Sequence, residues 1–406
     1  MTIPIEFTTQ GIADASVNAF TPYAGFLDSG EPYRSMLANN PWARPPKAHE
    51  PLEWGQGRYY DTTVARKHPY WKDTPLPRAT RDLNRLRHDL HDWGYCLIED
   101  GLSKEQCARL YNRVADQAAA ERALGIAYLD PAQQHVWSLV NKGEMFVRCL
   151  EHDTEFVQAG AVVERLLDET LGSGWNHYSL LSNISYPDCY PQGLHQDQNF
   201  IAPHRMLEGP PLVNAIYVLQ DVDEVNGGTL IIPGSHRTRT EGDFYGPLPP
   251  TINLEAAAGT ILIMDGRTFH AGAVNRSKKL RYIVTNSIVK NWVRQQEAFL
   301  LSISPQVLER ASDKFLWRVG YSANVRRNIV EGYGYRGNSE PGDPNGSTVH
   351  VRRAMDAGAY QHVGELSMAG IDQVDVDHFT LTRIQRDHET FRSPRYVQRL
   401  QKLDEH

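Results

Sequence analysis

Two periodicities of apolar residues alternate along the chain. Leu83, Leu86, Leu90 and Trp93 recur at helical spacing and stop at Gly94, which predicts an amphipathic helix with glycine just past its end. Ser103 and Gln106 form an S-x-x-Q capping box ahead of Cys107, Leu110 and Val114, so a second helix is expected there. A third is expected from about Thr154 to Leu171, with Phe156, Val163, Leu166 and Leu167 on one side and Gly172 as its stop. "YCLIEDGL", between the first two helices, reads as a short strand and turn. From Trp175 to Val289 the texture is β: "YSLLSNISY", "LVNAIYVLQDV", "TLIIPGS", "GTILIMDG" and "LRYIVTNSIV" are rich in branched or aromatic residues and are separated by Pro, Gly, Asn and Asp. Short strands that follow one another without helices between them predict a sandwich or barrel. Beyond them Ser304 and Pro305 make an N-cap and N1 pair before Val307, Leu308, Ala311 and Phe315, and "GYRGNSEPGDPNGST" reads as a loop.

This divides the chain into an extended N-terminal arm over 1–77, rich in Pro, Gly, Trp and Tyr, and a helical segment over 78–174 packing on the core. A mainly β core follows over 175–290, and then a C-terminal helical extension over 291–406. A chain of 406 residues with 41% hydrophobic content can fill one large core. The net charge of -7, without runs of Lys or Arg and without basic residues interleaved with aromatics, argues against nucleic acid as a partner. No apolar run approaches the roughly 20 residues that a bilayer requires. The start "MTIPIEFTTQGIADAS" has no basic and apolar leader pattern, so a cytoplasmic protein without membrane partners is expected. Cys96, Cys107, Cys149 and Cys189 form no C-x-x-C pair and read as buried, reduced thiols.

The chemistry concentrates in "QGLHQDQNF" and "GTILIMDGRTFHAG". In an extended segment His195 and Asp197 point to the same side and can bind a single ion. His270 follows an apolar strand 75 residues later, as a distant strand closing over the first would require. Two imidazoles and one carboxylate fit the facial triad of a non-haem Fe(II) site, which leaves positions open for a co-substrate and dioxygen. Eleven residues beyond His270, Arg281 opens a strand whose one face carries Arg281, Ile283, Thr285 and Ser287. A guanidinium there could hold a dicarboxylate by a bidentate pair. The same ligands could instead hold Zn²⁺ for hydrolysis, or serve a non-catalytic binding or sensor protein.

With these residues in view, "QGLHQDQN", "VNGGTLIIPGSH", "GTILIMDGRTFHAG" and "NRSKKLRYIV" resemble, in order and spacing, the phytanoyl-CoA dioxygenase family of Fe(II) and 2-oxoglutarate-dependent oxygenases. Weaker likeness lies in "HDWGYCLIEDGLSKEQCARL" and "SLVNKGEMFVRCLEH". The resemblance implies a double-stranded β-helix, or cupin-like jelly roll, with flanking helices. It also implies His195, Asp197 and His270 as metal ligands, and Arg281 as the anchor for the distal carboxylate of 2-oxoglutarate. Gln192 and Thr229 match positions that contact the co-substrate in some members, whereas His236 in "PGSH" is expected to be structural. The implied reaction couples decarboxylation of 2-oxoglutarate by O₂ to oxidation, most often hydroxylation, of an unactivated C–H. The expected partner is a small, mid-sized and largely apolar molecule of natural-product or lipid-like type, with no basic cluster present to grip coenzyme A. Trp137, Asn199 and Phe200 flank the matched segments and are candidates for its pocket. The oligomeric state is left open, a homodimer included.

Overall fold

The computed structural model describes residues 71, 73–129, 133–187, 189, 192, 195–198, 209–237, 251–321 and 363–375. The expected arm over 1–77, except for its last residues, lies outside these, as do the loop at 334–348, Asn199 and Phe200.

Helix α1 (Leu83–Trp93) begins where the Asp82 side chain accepts from the Asn84 N–H, and ends at Gly94 with φ 79°. That left-handed conformation favours glycine. Strand β1 (Tyr95–Ile98) follows, and then α2 (Lys104–Ala123), whose capping box between Ser103 and Gln106 is complete in both directions. Strands β2 (Tyr128–Leu129) and β3 (Gln134–Val136) lead to α3 (Glu144–Leu150) and α4 (Gly160–Leu171).

The third helix therefore starts later than its apolar spacing predicts, and α3 precedes it. The interruption has a local cause. Asp153 Oδ1 accepts from the Glu155 N–H at 2.8 Å, a turn that competes with helical hydrogen bonding, and His152 adopts φ 50°. Gly160 sits so close under this turn that a Cβ there would lie 2.0 Å from the His152 carbonyl oxygen. Gly160→Ala is expected to destabilise the fold by about 1–3 kcal/mol, the usual cost of overpacking, read as a lowered Tm.

The remaining strands are β4 (Asn176–Ser185), β5 (Leu212–Val218), β6 (Thr229–Ile231), β7 (Ile252–Asn253), β8 (Ile261–Asp265), β9 (His270–Gly272) and β10 (Arg281–Val289). Three short helices follow: α5 (Phe299–Ser302), α6 (Pro305–Leu308) and α7 (Asp313–Arg318). The helix expected after Pro305 is split because Ser312 acts as a second N-cap, accepting from the Phe315 N–H at 3.0 Å.

The strands form two sheets, one of seven in the order β1-β8-β5-β10-β4-β3-β2 and one of three in the order β7-β6-β9. Every pairing within them is antiparallel. The larger sheet thus recruits β1, β2 and β3 from ahead of residue 175. Its outer face, with Val213, Ala215 and Tyr217 of β5 and Val284 and Ile288 of β10, packs on Leu110, Val114, Leu150, Leu166 and Leu167 of the helices. Its inner face turns toward the small sheet, giving the double-stranded β-helix. β5 is buried along its whole length, which explains why it reads as an almost unbroken apolar run. All four cysteines are free and buried. Among the described residues no helix is long and apolar enough to cross a membrane.

Candidate metal centre and co-substrate pocket

The backbone first brings the two histidines together. His195 and His270 form an antiparallel bridge in which each N–H donates to the other's carbonyl at 2.9 Å. The Asp197 N–H donates to the Gly266 carbonyl at 2.9 Å, so the segment carrying His195 and Asp197 runs beside the turn that leads into β9. The side chains then converge. Nε2 of His195 and of His270 each lie 3.4 Å from an oxygen of Asp197, and one ligand atom from each of the three residues falls within 4.8 Å of the others. Among the described residues no other group of His, Cys, Asp and Glu meets this condition.

Hydrogen bonding and charge at these side chains suit a cation. His270 Nδ1 donates to the Thr268 carbonyl at 3.0 Å, which places its proton there and leaves the Nε2 lone pair free. Burial alone would raise the Asp197 carboxyl. The charges and hydrogen bonds of His270 and His195 outweigh this and hold it well below the usual carboxylate range, so it remains an anion. Its Oδ2 also accepts from Asn214 Nδ2. Two imidazoles and one carboxylate are a donor set that Fe(II) accepts, and Zn²⁺ accepts it too.

Arg281 distinguishes the site from a bare metal centre. Its guanidinium is buried, at 3% exposure, and Nη2 donates to Ser185 Oγ at 2.7 Å. Nε has no partner, and no acidic side chain among the described residues pairs with the cation. Burial pushes its pKa down to about 10, still charged at neutral pH. A buried, uncompensated cation is costly, and an incoming anion would offset that cost.

Gln192 and Thr229 meet at Gly272. The Gln192 backbone N–H donates to the Gly272 carbonyl and its side-chain oxygen accepts from the Gly272 N–H, both at 2.9 Å, leaving Nε2 as a free donor. Thr229 pairs with Gly272 across β6 and β9. All six residues expected at the site, His195, Asp197, His270, Arg281, Gln192 and Thr229, line one cavity of about 490 Å³ between the sheets. Ile283, Thr285 and Ser287 line it as well, as the alternation along β10 requires. Trp137 also reaches it. His236 does not line the cavity. It is buried, its Nε2 donates to the His91 carbonyl at 2.9 Å, and burial lowers its pKa to about 4, so it is a neutral packing residue.

Sequence reasoning missed Ser185, Asn214 and Tyr178. Asn214 carried a signal, as the one polar residue of "LVNAIYV". Tyr178 carried none. It enters the cavity because the β4–β10 register shifts between Ser287 and Ile288, leaving Tyr178 unmatched on β4.

A jelly roll that gathers two imidazoles, a carboxylate and a buried arginine in one cavity defines the class of Fe(II)/2-oxoglutarate-dependent oxygenases. Residues 90–283 match the sequence profile of the phytanoyl-CoA dioxygenase (PhyH) family. Among curated relatives, the Dioxygenase af480 of Aspergillus fumigatus is 29% identical over 217 residues, 50% of this chain and 67% of that protein. The uncharacterized protein Rv1501 of Mycobacterium tuberculosis is 23% identical over 270 residues, 62% of this chain and 91% of its own. Among solved structures, the non-heme alpha ketoglutarate dependent carbocyclase SnoK from nogalamycin biosynthesis aligns with a TM-score of 0.44 and 18% identity, covering 58% of this chain and 94% of that one.

Proposed function

We propose that His195, Asp197 and His270 hold Fe(II), that Arg281 with Ser185 receives the distal carboxylate of 2-oxoglutarate, and that the enzyme hydroxylates an unactivated C–H of a mid-sized organic molecule. The observation that carries this reading is Arg281: a buried guanidinium with no acidic partner among the described residues, in the same cavity as the three ligand side chains. Metal-assisted hydrolysis of a neutral substrate would leave such a cation without a role.

When bound, iron and 2-oxoglutarate with O₂ supply an oxidant able to cleave a C–H bond, releasing succinate and CO₂. The chain supplies position and water exclusion. Asp197, as an anion, and His270, with its proton committed to Thr268, present lone pairs to the ion. Arg281 and Ser185 face one another across β10 and β4 and set where a dicarboxylate ends. The Gln192 amide, fixed by Gly272, adds a donor beside it.

The remaining wall is free to recognise substrate. Alternation on β3 and its flanks turns Gln133, His135 and Trp137 toward the cavity, and the His135 and Trp137 rings are stacked with centroids 5.0 Å apart. Three strands, β5, β10 and β4, lead from Asn214 beside Asp197 to this wall at β3, a span of roughly 14 Å at the usual strand spacing. A mid-sized, partly apolar molecule fits that span and the cavity volume, which lies within the range of small-molecule pockets.

Succinate release from 2-oxoglutarate, measured with Fe(II) and O₂ against a panel of free lipophilic compounds, amino acids and acyl-CoA thioesters, tests the reading. Stimulation by free lipophilic compounds is expected, together with inhibition by added Zn²⁺, which occupies the same ligands without redox chemistry. Stimulation by acyl-CoA alone would overturn the substrate class, and activity supported by Zn²⁺ would favour hydrolysis.

A further inference from the structure

Asp197 is held from behind by a two-residue relay that the metal assignment leaves unused. Asn214, in the middle of β5, donates from Nδ2 to Asp197 Oδ2. Ser287, on β10, donates from Oγ to Asn214 Oδ1 at 2.6 Å. Both are nearly inaccessible, Asn214 at 1% and Ser287 at 8%, and they face each other in the β5–β10 register. A buried Asn amide can point either way, and only one orientation offers Asp197 a donor. The reverse would set the Asn214 oxygen against a carboxylate that only accepts, so Asp197 selects the productive orientation and the Ser287 hydroxyl satisfies the amide oxygen left facing β10.

Resting on the triad reading above, we infer that Asn214 and Ser287 are positioning residues for the metal. Asn214 occupies one oxygen of Asp197, which limits the carboxylate to a single coordinating oxygen and fixes its plane relative to His195 and His270. Ser287 acts only through Asn214. The relay also ties the metal ligand to β10, the strand that carries Arg281, so one strand registers both the iron and the co-substrate. Neighbours of this kind orient metal ligands, and their loss typically weakens metal binding by about 10- to 100-fold.

The test is Mn²⁺ binding to the full-length metal-free protein, followed by electron paramagnetic resonance of the free ion, with thermal melting of the same metal-free samples. Asn214→Ala and Asn214→Leu, the second keeping the side-chain volume, should each weaken Mn²⁺ binding by about 10- to 100-fold. Ser287→Ala should weaken it by a smaller factor and Ser287→Thr, which keeps the hydroxyl, should restore it. In the Asn214→Ala/Ser287→Ala double variant the loss should not exceed that of Asn214→Ala alone, because the two act in series. Melting of the metal-free protein should not follow this pattern, as it would if the pair merely supported the sheets. Wild-type Mn²⁺ affinity in both Asn214 variants, with binding abolished in His270→Ala, would overturn the relay and leave the triad standing. Multiplicative losses in the double variant would also overturn it. Unchanged Mn²⁺ binding in His270→Ala would instead refute the triad reading on which the relay depends.

Discussion

Substituting His195, Asp197 or His270 by alanine is expected to reduce 2-oxoglutarate turnover to background while leaving the fold intact. Each residue supplies one of three donors that converge within 4.8 Å, and a facial site with two donors does not retain the ion at working concentrations. The loss should exceed the roughly 10- to 100-fold typical of removing an outer partner of a metal ligand. None of the three side chains belongs to the apolar clusters that hold the sheets to the helices, so far-ultraviolet circular dichroism and cooperative melting should persist. Steady-state succinate formation checks the result. Turnover close to wild type in any one variant would remove that residue from the ligand set.

Arg281 is expected to separate binding from stability. Arg281→Lys replaces a planar fork by a point charge and should raise the KM for 2-oxoglutarate by about one to two orders of magnitude, corresponding to roughly 1.4–3 kcal/mol for a charge-assisted pair. Mn²⁺ affinity should scarcely change. Arg281→Met goes further: it should abolish measurable 2-oxoglutarate binding while leaving the metal-free protein as stable as before or more stable. The reason is that Arg281 is buried with no acidic partner among the described residues, and replacing buried charge by apolar volume is often neutral or stabilising by about 1–4 kcal/mol. An arginine with a purely structural role would behave oppositely, with melting lowered and 2-oxoglutarate affinity retained. Isothermal titration with 2-oxoglutarate and differential scanning calorimetry together decide between them.

What was legible in the chain follows from where local chemistry decides the outcome. The first two helices could be read because their ends are set by their own side chains: Asp82 and Gly94 for α1, Ser103 and Gln106 for α2. The longer strands could be read because β5 and β8 are buried along their whole length and carry dense apolar runs, while β4 and β10 carry branched or aromatic residues between turn signals. The third helix was misplaced because apolar spacing continued through a segment that Asp153 and Gly160 hold as a turn. Strands β2, β3, β7 and β9, of two or three residues each, are too short for period-two alternation and exist through tertiary pairing.

The site divides in the same way. Residues whose chemistry is distinctive at short range, His195, Asp197, His270 and Arg281, stood out from the sequence and converge on one cavity. Residues whose importance depends on cross-strand partners did not. Asn214 is an ordinary strand asparagine until β5 is laid beside β10 and under Asp197, and Ser185 becomes notable only opposite Arg281. Tyr178 reaches the cavity only through a register shift that its own sequence does not announce.

The central claim is that this cavity binds Fe(II) through His195, Asp197 and His270 and 2-oxoglutarate through Arg281, at one centre. An anaerobic titration of the metal-free protein with Fe(II) in the presence of 2-oxoglutarate, followed by visible absorption, measures both at once, since a 2-oxo acid chelated to Fe(II) gives a charge-transfer band that neither gives alone. The band is predicted to saturate at one iron per chain, to vanish in His270→Ala, and in Arg281→Met to require far more 2-oxoglutarate. Absence of the band in the wild-type protein, or its persistence unchanged in His270→Ala, would contradict the account.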